Sequence, residues 1–201
     1  MGFVARRDNP RVVPRWHDPV IPADTGTWNT DFRFQAFYHS PIVTAIPILP
    51  SRDVALAVEL RVEFQELMSG PIPPAELVEF REANRAHFEA GFGDDSVVVL
   101  LATVDDSLAG CAMLQTQRLI PNLLVPSGRT GMVMNVLVRE TYRRMGVGEA
   151  LMRSVEREGW SRGLDRLDLK ASEMGALLYG KLGWGGPKGG RPMEIYRAER
   201  L

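Results

Sequence analysis

The chain has 201 residues, of which 45% are hydrophobic and 24% are charged, and its formal net charge is −1. These are ordinary values for a globular domain, so collagen-like, coiled-coil and disordered classes are excluded for the chain as a whole. No apolar run reaches the roughly 20 residues of a membrane-spanning helix, and the single cysteine, Cys111, excludes an internal disulfide and a cysteine-cluster metal site.

The first 41 residues differ in composition from the rest of the chain. They contain five prolines, and no helical or strand periodicity extends beyond a few residues. We therefore predict an N-terminal extension at 1–41, either flexible or engaged in an oligomer contact, and one domain at 42–201. Four aromatic residues between positions 32 and 38 leave a homodimer contact open. Arg6 and Arg7 interrupt the apolar start, so we predict no signal peptide and a cytoplasmic protein without a membrane partner.

Charge is distributed unevenly along the chain. Residues 51–106 carry 4 basic and 12 acidic side chains, whereas residues 107–201 carry 15 basic and 9 acidic ones. A nucleic-acid binder is basic throughout its binding domain, so we expect no nucleic-acid partner. The split is consistent with an anionic ligand on one surface and a cationic ligand on another, or with chance variation between elements.

Strand-like and helix-like segments alternate from residue 42 onward. Apolar and β-branched runs predict strands, whereas apolar residues at spacings of three and four predict helices. The predicted order is strand 42–49, helix 51–70, helix 73–91, strand 96–104, strand 108–119, strand 132–138, helix 146–162, strand 166–171, helix 172–182 and strand 193–197.

Particular residues mark the positions of these elements. Pro47 predicts an edge strand because it lacks an N–H group, and Ser51 is the predicted N-cap of the first helix. Asp105 and Asp106 predict a hairpin turn. The strand 132–138 is apolar on both faces except at Asn135, which predicts a central position in the sheet.

A glycine-containing turn links the strand 132–138 to the next helix. It reads Arg143-Arg-Met-Gly146-Val-Gly148, and successive N–H groups at a helix N-terminus form a site for an anion such as a pyrophosphate. Leu151 stands where a dinucleotide-binding fingerprint has its third glycine, and no Gly-Lys-Ser/Thr sequence of a P-loop is present. An ordinary tight turn is the alternative interpretation.

The helix at 172–182 carries the second motif. Ser172, Gly175 and Tyr179 share one face, which we predict to point away from the core. The opposite face, predicted to pack inward, consists of Met174, Leu177, Leu178 and Leu182. The alternative interpretation is an ordinary amphipathic helix with a half-exposed tyrosine.

Together the two motifs resemble the GNAT superfamily of acyl-CoA-dependent N-acyltransferases. The turn matches Arg/Gln-x-x-Gly-x-Gly/Ala, and the helix matches Leu-Tyr-x-x-x-Gly-aromatic from Leu178 to Trp184. The resemblance covers about residues 42–201. It implies an α/β fold of the α+β type, with a mixed, largely antiparallel central sheet flanked by helices. In this sheet the parallel central strands 132–138 and 166–171 splay apart.

The resemblance also implies acetyl-CoA as the acyl donor and a set of residues that bind it. The residues implied for the donor are Val136, Leu137, Val138, Arg143, Arg144, Met145, Gly146, Val147, Gly148, Glu149 and Ser172. The N–H group near Val136 would polarise the thioester carbonyl, and Tyr179 would protonate the departing thiolate. Ser172 takes the place of a frequent asparagine, and Glu140 replaces a common proline.

The general base is the part of the site that the sequence leaves open. Many relatives carry a glutamate at the start of the central strand, where this chain has Met132. A water held by Asn135 is one candidate, and Asn135 is equally consistent with a satisfied core amide. Further candidates are Glu63, Glu66, His87 and Glu173, with His87 also explained as a packed residue. We assign Asn135 and Glu63 to the acceptor site, and we interpret Cys111 as a small buried residue.

The predicted function is transfer of an acetyl group to a primary amine of a small molecule or peptide, by direct attack in a ternary complex. The acidic region 51–106 would border the acceptor cleft and favour a cationic amine. A non-catalytic acyl-CoA-binding sensor or structural module is the alternative, because the family glutamate is missing.

Overall fold

The computed structural model describes residues 45–186. The predicted extension at 1–41 and the predicted last strand at 193–197 lie outside these residues. The strands are β1 (Ile48–Ser51), β2 (Val97–Val104), β3 (Ser107–Arg118), β4 (Arg129–Val138) and β5 (Arg166–Leu169). The helices are α1 (Val54–Ser69), α2 (Pro74–Gly93), α3 (Val147–Ser161) and α4 (Glu173–Lys181), with a short 3-10 turn at Glu140–Tyr142.

The five strands form one mixed sheet in the order β1-β2-β3-β4-β5. Neighbouring strands are antiparallel except β4 and β5, which are parallel. The predicted fold class is therefore confirmed. Within the described residues β1 lies at an edge, as predicted for the strand 42–49, although it begins at Ile48 and Pro47 precedes it. The strand β4 lies in the interior, as its apolar composition predicted.

The strand β4 begins three residues before its predicted start at Met132. The three added residues, Arg129 to Gly131, lie between the predicted strands 108–119 and 132–138 and pair with Thr116 to Arg118 of β3. The loop is correspondingly shorter, because pairing across the sheet extends a strand beyond its apolar segment. At the other end of β3, Asp105 and Asp106 form the predicted turn with φ values of 48° and 58°.

Helices cover both faces of the sheet. On one face, α1 and α2 enclose a cluster that includes Leu60, Phe88 and Leu137. On the other face, α3 and α4 pack on a cluster that includes Leu151, Val155 and Tyr179. Within residues 45–186 no helix is both long and apolar enough to cross a membrane.

The N-cap of α1 differs from the prediction. Asp53, not Ser51, accepts the N–H of Leu56 at 3.0 Å, and Ser51 is the last residue of β1. Ser51 instead accepts the N–H of Asp53 through its hydroxyl. The sheet pairing of Ser51 with Val99 holds it in the strand and moves the helix start two residues along the chain.

Candidate active site

The strands β4 and β5 separate after four paired residues. Their parallel register runs from Thr130 opposite Arg166 to Val133 opposite Leu169, where β5 ends. The remainder of β4, residues 134–138, pairs only with β3 within the described residues. This leaves the backbone of β4 open on one side, at the position where the resemblance to the acyltransferases implied that two strands splay apart.

A β-bulge at Asn135 changes which side chains β4 presents to each face. Met134 pairs with Met113 and Leu137 pairs with Cys111, so Asn135 and Val136 together face a single residue of β3. Asn135 has a φ of 54°, a left-handed conformation that asparagine tolerates better than most residues. The bulge therefore places the side chains of Met134 and Asn135 towards α1 and α2.

The side chain of Asn135 is buried, and both its amide nitrogen and its oxygen form hydrogen bonds within the protein. Its amide nitrogen donates to the carbonyl of Leu60 at 3.1 Å, and its oxygen accepts from Arg61 at 3.4 Å. The amide also lies 3.6 Å from the Cys111 sulfur. This is the geometry of a satisfied core amide, one of the two interpretations of the sequence, and it ties α1 to the bulge.

The turn between β4 and α3 presents a run of unbonded amides. From Arg144 to Glu149, six consecutive N–H groups have no acceptor among residues 45–186. Arg144 and Gly146 have left-handed φ values of 66° and 86°, and left-handed residues are typical of the concave backbone turns whose successive N–H groups bind anions. The turn can therefore accept an anionic group such as a pyrophosphate.

The side chains of the turn point in different directions. Arg143 donates through Nε to the carbonyl of Val138 at 3.4 Å, whereas Arg144 and Met145 are exposed. Glu149 pairs with Arg153 on the outside of α3, and Val147 is buried in the core. Arg143 and Arg144 therefore supply the positive charge near the amides of the turn. The negative charge of Glu149 is paired with Arg153.

Gly148 brings the first turn of α3 against α4 and β4. A Cβ atom at this position would lie 3.0 Å from Cδ2 of Leu178 and 3.6 Å from Cγ2 of Val138. The glycine therefore permits close packing of three elements as well as access to the amides. Its substitution would disturb both, so it is a poor test of anion binding alone.

The orientation of α4 matches the sequence prediction in part, because Leu178 and Leu182 pack on the core as predicted. Ser172 caps the helix by accepting the N–H of Gly175 at 3.2 Å, and Ser172, Gly175 and Tyr179 do share a face. That face points inward at Tyr179, which is 9% exposed, whereas Met174 and Leu177 are 76% and 74% exposed. The absence of a side chain at Gly175 lets the tyrosine ring fold against the helix and into the core.

Contacts with α3 hold the aromatic end of α4 in place. The indole of Trp184 donates to Glu156 of α3 at 2.7 Å, and its ring centroid lies 6.4 Å from that of Tyr179. Burial raises the pKa of the Tyr179 phenol above its ordinary value. Among the described residues no side chain or carbonyl forms a hydrogen bond with the Tyr179 hydroxyl, so its proton is available to a ligand.

A cavity of about 240 Å³ lies between the helices α1 and α2 and the sheet. It is lined by Arg61, Asn84, His87, Phe88, Val97, Met113, Leu114, Gln115 and Met134. None of these is acidic, and five of them belong to the region 51–106. Sequence reasoning also missed Arg61, although it follows Ala57 by four positions and precedes Phe64 by three, a spacing that marks an inward-facing position.

The predicted acceptor-site and base residues occupy different places. Glu63 does not line the cavity, because both its oxygens bind the guanidinium of Arg139 at 3.0 and 2.8 Å. Glu66 and Glu173 are exposed, and Met132 is half-buried in β4. Of the four base candidates, His87 alone lines the cavity, with its ring edge-on to Phe88.

Comparison with models of protein families gives one match, to the acetyltransferase (GNAT) family, over residues 59–184. The chain belongs to this family. The match includes the open edge of β4, the turn and α4, so the resemblance indicated by the two sequence motifs is confirmed. A search of curated protein sequences finds no match to this GNAT-family chain.

Solved structures share the GNAT fold. A predicted acetyltransferase from Clostridium acetobutylicum, crystallised with acetyl-CoA, has a TM-score of 0.64 and 18% identity over 74% of this chain and 96% of that chain. A GCN5-related N-acetyltransferase from Ralstonia eutropha has a TM-score of 0.63 and 23% identity over 75% and 98%. Glucosamine-6-phosphate N-acetyltransferase from Arabidopsis thaliana has a TM-score of 0.54 and 16% identity over 75% and 97%.

Proposed function

We propose that this protein is an N-acetyltransferase that moves an acetyl group from acetyl-CoA to a primary amine of a small molecule or peptide in a ternary complex. The observation that carries the proposal is the run of six free amides at Arg144 to Glu149, directly after the open edge of β4. A pyrophosphate fits the amides, and an extended amide-containing chain fits the open edge. Both groups belong to one molecule of CoA.

The donor would lie along β4 and end at the turn. Gly110 of β3 lies close to the carbonyl of Leu137. Because successive residues of a strand alternate in direction, the N–H and C=O groups of Val136 and Val138 would point to the open side of β4. The Ser172 hydroxyl accepts one hydrogen bond as the cap of α4, which leaves its O–H donor and its second lone pair for a ligand. The Clostridium relative, which was crystallised with acetyl-CoA, supports the choice of donor.

The thioester of the donor supplies an activated acetyl group. The Val136 N–H group is the proposed donor to its carbonyl oxygen, and the Tyr179 hydroxyl is the proposed source of the proton for the departing thiolate. Because its pKa is raised, Tyr179 stays protonated at neutral and moderately alkaline pH, the form in which it can donate.

The acceptor amine would occupy the cavity next to the bulge. Its volume of about 240 Å³ fits a small molecule or one end of a peptide. An amine with a pKa near ~10 arrives protonated at neutral pH and must lose a proton before attack. His87 is the proposed route for that proton, because it lines the cavity and the other three candidates do not. The Arabidopsis relative's name supports an amine acceptor.

The donor site is tested by reversing one charge on the turn. Arg144→Glu is expected to weaken acetyl-CoA binding roughly 10-fold or more, because one charge-assisted contact becomes a repulsion. Arg118→Glu is the matched control, since Arg118 is exposed at the end of β3 that lies opposite the turn. Calorimetric titration of both variants measures the affinities. Equal affinity in the wild type and Arg144→Glu would contradict the donor site.

Catalysis is tested separately, by release of free CoA thiol with a panel of amines. The acyl-CoA-binding sensor has one observation in its favour, the non-titrating Met132 in the place of the family glutamate. A sensor binds acetyl-CoA without releasing CoA in the presence of any amine. An enzyme releases CoA at a rate that depends on the amine concentration, and the acetylated amine accumulates in equal amount.

A further inference from the structure

Arg61 occupies an unusual position for an arginine in this protein. Its guanidinium carbon lies 5.9 Å from the ring centroid of Phe64 and 5.7 Å from that of Phe80. The side chain is half-buried, and it borders the cavity between α1, α2 and the sheet. The two rings hold the guanidinium by cation–π contact and fix its direction.

No carboxylate accompanies this charge. Within residues 45–186 Arg61 forms no ion pair, and its hydrogen bond of 3.4 Å is to the neutral amide of Asn135. By contrast, Arg81 of α2 pairs with Glu59 of α1, and Arg52, which precedes α1, pairs with Asp95. Burial lowers the pKa of Arg61, which reflects the cost of removing its charge from water without a counter-charge.

The remaining polar groups of the cavity suit an amine. The Asn84 side chain donates its N–H to the carbonyl of Phe80 at 2.7 Å, which leaves its oxygen as an acceptor. Gln115 adds a second amide on the sheet side of the cavity.

The guanidinium of Arg61 suits an anion instead. A guanidinium has five N–H groups in a planar fork that matches a carboxylate or a phosphate, and Arg61 uses one of them. The cavity therefore presents a cationic donor beside neutral acceptors.

We propose that Arg61 binds an anionic group, a carboxylate or a phosphate, on the same molecule as the acceptor amine. This inference rests on the proposed function and narrows it to amine acceptors that carry a negative charge, such as amino acids, peptides with an acidic group near the amine, or amino-sugar phosphates. Such an acceptor would supply the counter-charge that the protein lacks.

The first test compares matched acceptors that differ only in charge. Each amino acid is paired with its carboxamide, and each amino sugar is paired with its phosphate ester. The wild type is expected to favour the anionic member by roughly 10- to 100-fold in kcat/KM, mainly through KM, the range expected for one charge-assisted interaction. The carboxylate and phosphate pairs together distinguish the two sources of negative charge.

Arg61→Gln is expected to remove this preference, and Arg61→Lys is expected to retain part of it. Arg85→Gln is the matched control, because Arg85 is an exposed arginine of α2. A purely structural role of Arg61 would lower activity towards both members of a pair equally. That result would overturn the inference, as would a wild type that shows no preference for either anion.

A second measurement does not depend on turnover. With the donor site saturated by CoA, inorganic phosphate and acetate are titrated while the NMR signals of the protein are recorded. Saturable shifts are expected for residues 61, 84 and 115 in the wild type and are expected to be lost in Arg61→Gln. Their absence in the wild type would overturn the anion site. If the anion binds but no amine is acetylated, the proposed function fails and the anion site stands.

Discussion

The phenol ring of Tyr179 lies against the Cα atom of Gly175, one turn earlier in α4. A Cβ atom at Gly175 would lie 2.8 Å from Cε2 of Tyr179 and 3.3 Å from its Cζ, distances that ordinary contacts do not reach. It would also lie 3.2 Å from the hydroxyl oxygen of Ser172, the helix cap. The glycine therefore determines where the proposed acid can lie.

Gly175→Ala is expected to displace Tyr179 and to lower kcat while acetyl-CoA affinity changes little. Alanine favours the helix by roughly 1 kcal/mol over glycine, so the helix itself should tolerate the change. Gly180→Ala is the matched control, because a Cβ atom there would meet nothing within 4 Å. Steady-state kinetics of the two variants are compared. Equal kcat values would show that the position of the ring is irrelevant to turnover.

Tyr179→Phe is expected to lower kcat, by at most the ~10²- to 10⁴-fold usual for general acid catalysis, because a thiolate can depart without a proton. The ring and its packing remain, so acetyl-CoA affinity and thermal stability should be nearly unchanged. Combined with Gly175→Ala, the effects should not add, since both changes act on one proton donor. An unchanged kcat, with chemistry shown to be rate-limiting, would exclude Tyr179 as the acid.

The pH dependence of kcat provides a further signature of Tyr179. A proton donor is active below its pKa, and burial raises the pKa of this phenol. The alkaline loss of kcat caused by its ionisation should therefore lie at a higher pH than for an ordinary tyrosine, and it should be missing in Tyr179→Phe. A rate profile recorded from neutral to strongly alkaline pH measures this difference.

Local patterns in the sequence were enough to predict most of the fold. The strand-to-helix turn at Gly146 and the hairpin at Asp105 depend on short-range backbone preferences, so sequence reasoning placed both correctly. The order of strands and helices followed from apolar periodicity in the same way. The start of α1 was misplaced because Ser51 pairs with Val99, a residue 48 positions away on another strand.

The parts that sequence reasoning missed depend on contacts between distant elements. The bond between Asn135 and Leu60 joins residues 75 positions apart, and Arg61 faces the same region from α1. The ion pair between Glu63 and Arg139 is equally long-range. Because of this pair, the Glu63 carboxylate does not line the cavity, although the sequence had suggested it for the acceptor site. The inward face of α4 was predicted only in part: Leu178 packs on the core, but Met174 and Leu177 are apolar and yet exposed.

Asp95 joins the start of α1 to the end of α3. It pairs with Arg52 and with Arg162, and the hydrogen bond from Arg162 lowers the pKa of its carboxyl group. A carboxyl group with a lowered pKa stabilises the fold above its unfolded pKa, near ~3.9, and loses that contribution as the pH falls through its folded value. Acid should therefore weaken this connection between α1 and α3.

Asp95→Asn is expected to lower the free energy of unfolding at pH 7 by at most about 1 kcal/mol, because the pairs are solvent-exposed. The difference from the wild type should shrink below pH ~4, as the aspartate becomes protonated. Asp106→Asn is the matched control, since Asp106 has nearly the same φ, 58° against 59°, and forms no ion pair within residues 45–186. Urea unfolding at several pH values measures both variants. A difference that persists unchanged at pH 3 would contradict the role of the charge.

The thiol of Cys111 should be unreactive towards alkylating reagents in the folded protein. It is fully buried, and burial raises the pKa of its thiol to about 11, so little thiolate exists at neutral pH. Iodoacetamide at pH 8 is expected to label the protein only after unfolding in urea, and mass spectrometry counts the label on this single cysteine. Rapid labelling of the native protein would contradict this and would indicate a reactive thiol at Cys111.

The open side of β4 at residues 134–138 affects how readily the protein aggregates when no ligand is bound. A sheet edge without a partner is a template for any extended chain, including another copy of the same protein. On the proposed function, acetyl-CoA covers that edge and stabilises the fold by about 2.7 kcal/mol at 100 times its dissociation constant. The resistance of the protein to aggregation would then rise and fall with the supply of its own substrate.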